Sequence, residues 1–136
     1  MIHLFTYGTL MFRPVWSTVV DGAYRQFKAT LPGFLRRSIV NEDYPAIIPD
    51  RLTSTVEGII YLNIGSEDLK RLDEFEGTIY QRQHVQVRTH DNLYAADAYV
   101  LKAEYRHLLS NAAWHPEKFR DTVFQRFLDT YPGFEP

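Results

Sequence analysis

The sequence predicts an α+β fold built on a mainly antiparallel sheet or small barrel. Three observations carry this. Strand-like runs dominate the chain, with β-branched and aromatic residues concentrated at 2–7, 55–62, 80–89 and 93–101. The last two of these alternate and are separated by His90-Asp91-Asn92, a hairpin-loop composition. Only two helices are clear, at residues 66–76 and 116–131, which leaves the strands in the majority.

Taken in order, Ile2 to Tyr7 read as a buried strand that stops at Gly8-Thr9-Leu10. A glycine at a strand end signals that backbone passes close to something. Residues 11–30 carry mixed signals, with Pro14 and Trp16 starting a helical turn. The stretch 41–49 reads as a turn followed by a short strand closed by Pro49. Gly58 inside the 55–62 strand predicts a bulge or a close backbone approach. For the helix at 66–76, Ser66 is the expected N-cap, Glu67 and Asp68 suit the positive end of the dipole, and Gly77 is the stop. In the last segment Phe119, Val123, Phe127 and Tyr131 recur at four-residue spacing, a helical stripe ending before Pro132-Gly133. Trp114-His115-Pro116 is expected to start that helix and to pack against the sheet.

The 136 residues show no repeat and no linker, so residues 1–136 are expected to form one domain. A net charge of -2 gives no basic surface for nucleic acid and no polybasic membrane patch, and Arg36-Arg37 is too short a run to provide one. With no cysteine, the chain has no disulfide, no thiolate metal site and no cysteine nucleophile. No apolar run approaches membrane-spanning length. The first residues lack the pattern of a secretion leader, and the expected location is cytoplasmic.

The helix at 66–76 bears the most informative residue. At about 100° per residue, Leu69, Leu72 and Phe75 share an apolar face, while Glu67, Lys70, Arg71 and Glu74 fall away from it. Glu76 lies four residues after Leu72 and seven after Leu69, so it points with the apolar stripe. Desolvation and the negative end of the helix dipole both raise the pKa of a carboxyl there, toward general-base strength near neutral pH. Asp68 is also near this face, but it sits in the first turn, where capping is the ordinary role. The competing reading is that Glu76 bends into water or pairs with Arg82 or Lys70, and periodicity alone leaves both open.

Tyr7-Gly8-Thr9-Leu10, Tyr44-Pro45, Val56-Glu57-Gly58, Leu72 to Gly77 and Tyr80-Gln81-Arg82 stand in an order that resembles the gamma-glutamylcyclotransferase-like superfamily, in its AIG2-like and gamma-glutamylamine cyclotransferase branch. The resemblance covers residues 3–101. It implies a small mixed, mainly antiparallel barrel-like sheet with flanking helices, and a cavity at the Tyr7–Leu10 loop. It also implies conversion of a gamma-glutamyl amine or amino acid into 5-oxoproline and a released amine. Under it Glu76 matches the catalytic glutamate, and the backbone of Tyr7, Gly8, Thr9 and Leu10 the substrate-binding loop. The substrate's own α-amine attacks its γ-carbonyl, so the chemistry needs a base and oxyanion donors but no nucleophilic side chain, metal or cofactor.

Further candidates each carry two readings. Tyr7 closes the pocket or belongs to the core. Tyr80 and Tyr99 point hydroxyls into the cavity or pack. Arg82 binds a substrate carboxylate, or it pairs with Glu76 or Asp73 and orients the helix end. His84, His90, His107 and His115 lack metal-ligand spacing. The expected partner is a small gamma-glutamyl substrate, with neither nucleic acid nor membrane. The alternatives are a non-catalytic protein that binds a small metabolite in the same pocket, and a partner-binding module using the Tyr80–Leu101 hairpin and the last helix.

Overall fold

A computed structural model of the chain describes residues 1–120. Strand β1 (Ile2–Thr6) leads through a 3-10 turn at Thr9–Met11 into α1 (Arg13–Val19), followed by β2 (Gln26–Pro32), β3 (Phe34–Ser38), β4 (Pro45–Pro49) and β5 (Thr55–Ile64). Then come α2 (Ser66–Glu76), β6 (Tyr80–Arg88), β7 (Leu93–Leu101), a 3-10 turn at Ala103–Leu108, and α3 (Pro116–Lys118). Of the helix expected over 116–131, Val123, Phe127 and Tyr131 lie outside the described residues. Strands β1, β5, β2, β6 and β7 close in that order into a barrel, and β3 and β4 form a separate ribbon. Pairing is antiparallel except between β1 and β7, where Leu4 and Phe5 stand beside Asp97 and Ala98 in parallel. The fold is the mixed, mainly antiparallel barrel with flanking helices that the sequence predicts.

Side-chain alternation divides the core in two. Phe5, Leu31, Val56, Ile60, Val87, Ala96, Ala98 and Val100 fill the barrel. On the outer face Leu4, Tyr61, Tyr99 and Leu101 meet Val15, Trp16 and Val19 of α1 and Leu72 of α2. Trp16 stacks on Tyr61 with ring centroids 3.6 Å apart. On β5, Ile60 and Leu62 belong to the barrel core but Ile64 to the outer one, which strict alternation forbids. The register against β1 shifts between Ile2 and Leu4, so β5 carries one extra residue. Asn63 sits in that bulge at φ 57°, a left-handed conformation that Asn tolerates. Gly58 is the other expected irregularity, and it is a close approach: a Cβ there would lie 2.0 Å from the Thr6 carbonyl oxygen.

Helix α2 stops at Gly77, whose φ of 85° suits glycine, as expected. Its start corrects the sequence reading. Gly65, in extended backbone, is the N-cap, and Ser66 is the first helical residue. Asp68 does not cap its own helix either. It is buried, accepts the N–H groups of Asp21 and Gly22 at 2.9 Å and the Tyr24 hydroxyl at 2.5 Å, and pairs with Arg71. These donors hold its carboxyl well below the usual range despite burial, which alone would push it up. Asp68 thus ties α2 to the loop after α1 and fixes the helix whose far end carries Glu76.

Candidate functional site

The loop after β1 is held from several sides. The Arg36 guanidinium donates to the Tyr7 carbonyl at 2.8 Å and to the Glu57 carbonyl at 3.1 Å, while its charge lies 5.3 Å from the Trp114 ring centroid. The Tyr61 hydroxyl donates to the Leu10 carbonyl at 3.3 Å. Gly8 has a φ of -131°, outside the left-handed region that demands glycine. What a Cβ would meet is the ring of Pro45, at 2.9 Å. The strand-end glycine therefore answers first to Pro45, which the loop must approach. Gly8→Ala is expected to lower stability by about 1–3 kcal/mol, because a proline ring yields little, and to distort the cavity wall. Thermal melts beside wild type check this.

Between this loop and the end of α2 lies a cavity of about 180 Å³. Thr6, Tyr7, Gly8, Thr9 and Leu10 line one side, Tyr44 and Pro45 a second, Phe75, Glu76, Thr78 and Ile79 a third, with Tyr80 and Tyr99 completing it. This is below the ~300 Å³ at which drug-sized pockets begin, and it suits a group the size of an amino acid. Seven of the eight residues singled out from the sequence converge here: Tyr7, Gly8, Thr9, Leu10, Glu76, Tyr80 and Tyr99. Arg82 does not line the cavity. Its guanidinium is engaged by Asp73, Nε to Oδ1 at 2.8 Å, and by Asp97, Nη1 to Oδ2 at 2.7 Å.

Glu76 is part-buried, and its carboxyl makes no hydrogen bond or ion pair to any described residue. Burial pushes its pKa up to about 8, and the Asp73 charge adds to the rise. The sequence reading names burial and the helix dipole, and Asp73 is the contribution it missed. Spacing offers a signal for it, since Asp73 stands three residues before Glu76 on the same helix. The hydroxyls of Tyr7, Tyr80 and Tyr99 are committed as donors. Tyr7 donates to the Tyr99 carbonyl at 2.6 Å, Tyr80 to the Pro45 carbonyl at 2.8 Å, and Tyr99 to Asp73 at 2.7 Å. Burial raises the pKa of the Tyr7 and Tyr99 hydroxyls, so both stay protonated near neutral pH. None of the three has a hydroxyl proton left for a ligand, though their oxygens keep lone pairs.

The remaining candidates fall elsewhere. His84 is exposed on β6, with Nδ1 2.6 Å from Asp97 Oδ1. Among the described residues no group of three His, Asp or Glu side chains is placed to hold a metal ion, and no helix is long and apolar enough to cross a membrane. Trp114 is buried and donates its indole N–H to the Asp43 carbonyl at 2.9 Å, bracing the segment before Tyr44-Pro45.

The family described as gamma-glutamyl cyclotransferase, AIG2-like, matches residues 4–116. AIG2-like protein D of Arabidopsis thaliana is 39% identical over 92 residues, which are 68% of this chain and 60% of that protein. AIG2-like protein C of the same plant is 36% identical over 88 residues, 65% of this chain and 51% of that protein. The chain thus spans only about half to three-fifths of the length of these relatives. An Arabidopsis thaliana protein solved in solution is 26% identical, with a TM-score of 0.70 over 95% of this chain and 87% of its own. A mouse AIG2-like protein shares the fold at 22% identity, with a TM-score of 0.64 over 85% of this chain and 86% of its own. With the matching residues, the barrel and the cavity in place, the chain belongs to the AIG2-like gamma-glutamyl cyclotransferase family.

Proposed function

We propose that the protein is a gamma-glutamyl cyclotransferase that releases 5-oxoproline and an amine without a cofactor, with Glu76 as general acid and base. The observation that carries this reading is the unpartnered Glu76 carboxyl, high in pKa, in an amino-acid-sized cavity beside the Tyr7–Leu10 backbone.

The cavity divides a gamma-glutamyl group by charge. With the Tyr7, Tyr80 and Tyr99 protons committed, ligand anions fall to the backbone N–H groups around Gly8, Thr9 and Leu10, beside the Thr9 hydroxyl. The α-ammonium is met by Glu76 and by tyrosine oxygens. In the reaction the α-ammonium gives one proton to Glu76, and the freed amine attacks the γ-carbonyl carbon. The oxyanion that forms falls to the loop N–H groups. As the nitrogen becomes the lactam N–H, it loses a second proton to water. Protonated Glu76 then donates to the departing nitrogen, the old amide C–N bond breaks, and the released amine takes a proton from water as an ammonium. Holding the substrate curled supplies much of the rate, since both reacting groups belong to one molecule.

The reading carries a pH dependence. A base with pKa about 8 is ionised only above it, so kcat/KM is expected to rise from pH 6 to 9 with its acid limb near 8. The identity test is a panel of gamma-glutamyl amines and amino acids incubated with the full chain. Equal amounts of 5-oxoproline and free amine from at least one member support the reading. Absence of both from well-folded protein across the panel would move it to the metabolite-binding alternative. The tyrosine-lined cavity around Glu76 argues against a module that acts only through its hairpin surface.

A further inference from the structure

Asp97 raises a question that the cavity leaves unanswered. It is an acid on a barrel strand between Ala96 and Ala98, with only 6% of its side chain exposed, and it is not one of the residues that line the cavity. A carboxylate so buried must be paired, because an unpaired charge there is costly. Arg82 and His84 pair it from the neighbouring strand, where Arg82 stands opposite Tyr99 and His84 opposite Asp97. The Arg82 fork does not stop at Asp97. Nε and Nη2 reach the two oxygens of Asp73 at 2.8 and 3.3 Å, and Asp73 Oδ1 also takes the Tyr99 hydroxyl. One guanidinium therefore joins the last turns of α2 to the β6–β7 hairpin, three residues from Glu76.

We infer that Arg82, seated on Asp97, is a positioning residue: it clamps Asp73 and the last turn of α2 to the barrel, and it sets how much of Asp73's negative charge reaches Glu76. This rests on the reading of Glu76 as the base. A lysine cannot replace the fork, because a single ammonium has no geometry to hold Asp73 with two bonds and Asp97 with a third.

The sign of the effect follows from the groups around Glu76. Asp73 faces it from its own helix, Tyr7 from the end of β1, Tyr44 from the segment before β4, Tyr80 from β6 and Tyr99 from β7. The Tyr7 and Tyr99 phenols are pushed up and stay neutral near pH 8, leaving Asp73 as the anion that acts on Glu76 and Arg82 as the cation offsetting it. Removing the cation leaves Asp73 unopposed, so Glu76 holds its proton to higher pH.

The test titrates the Glu76 carboxyl by carbon NMR in the full chain, assigned by difference against Glu76→Gln, in wild type, Arg82→Gln and Arg82→Lys. In parallel, kcat and KM are followed against pH on the best gamma-glutamyl substrate. The expected result is that Arg82→Gln moves the Glu76 midpoint and the acid limb of kcat/KM to higher pH by roughly half a unit or more. Arg82→Lys moves both in the same direction by less, and KM at high pH changes less than threefold. An unmoved midpoint in a folded variant overturns the inference. So does a tenfold rise in KM with the limb unmoved, which would make Arg82 a ligand for the substrate carboxylate. If Arg82→Gln does not fold, the Arg82→Lys midpoint decides alone. If no substrate turns over, the proposed activity fails by itself, and the NMR midpoints still judge the clamp.

Discussion

Glu76→Gln is expected to lower 5-oxoproline release by roughly 10³-fold, within the range of general acid–base effects, while making the fold more stable at pH 8. Both changes come from one property. The Gln side chain has the shape of the protonated acid but can neither take the proton from the α-ammonium nor return it to the departing nitrogen. It also carries no charge, and the cavity is a place where charge is disfavoured. Glu76 in the folded chain has a pKa of about 8 against an ordinary 4.5. An acid whose folded pKa is raised keeps its full stability below the unfolded value and loses it as pH climbs toward the folded one. Wild type should therefore weaken from pH 5 to 8 by on the order of 1–3 kcal/mol through this group, after allowance for its partial solvation. The Gln variant should escape that loss. Melting curves at pH 5 and pH 8 check it: the two proteins coincide at the lower pH, and the variant melts higher at the upper one. Equal melting at both would mean that Glu76 is ordinarily solvated, and the base assignment would lose its physical support.

The other large effect is structural. Gly58→Ala is expected to destabilise the barrel by about 3 kcal/mol or more, at the upper end of overpacking costs. The added Cβ would lie 2.0 Å from the Thr6 carbonyl oxygen and within 3.0 Å of the Phe5 ring, so backbone and core must both give. Thr6 donates its hydroxyl to the Ile59 carbonyl at 2.9 Å, and β1 leads straight into the cavity loop, so the displacement reaches the site. Denaturant unfolding would show the loss, with wild-type stability as the contradicting result. The variant should also lose turnover beyond what its unfolded fraction explains.

The parts of the fold legible in the sequence are those where one local signal had no competitor. Helix α2 shows its apolar stripe, its acidic first turn and its terminal glycine, and it ends where the pattern places its end. The β6–β7 hairpin shows two strand-like runs on either side of a polar turn, and residues 89–92 join them. The strands β2 and β3 were not legible. In β2 the apolar Phe27 is 38% exposed while the small Ala29 is buried, so alternation reads weakly. In β3 the two central residues are arginines, and Arg36 is there to bind the Tyr7 carbonyl, a long-range contact that no local pattern announces. Ser66 was misread because a serine before a helical run usually caps it, whereas here Gly65 is held by the Tyr24 hydroxyl and the helix begins one residue earlier.

The site divides in the same way. Periodicity pointed Glu76 inward, the ordered motifs gathered the Tyr7–Leu10 loop with Tyr80, and Tyr99 was open between cavity and core until the hairpin was in place. The partners of Arg82 were only half legible. Asp73 was one of its two candidate acids, but Asp97 is fifteen residues away on the next strand, and only the hairpin register brings them together. Gly8 shows the limit of reading a motif residue by its chemistry alone, since its nearest obstacle is Pro45 rather than a ligand.

Glu76 as the base is put on trial by 5-oxoproline release from one gamma-glutamyl amine, followed from pH 6 to 9.5 with wild type and Glu76→Gln side by side. Release by wild type is expected to climb through pH 8 and to be nearly absent in the variant at every pH. Release by the variant at the wild-type rate would mean that the chemistry comes from groups other than Glu76.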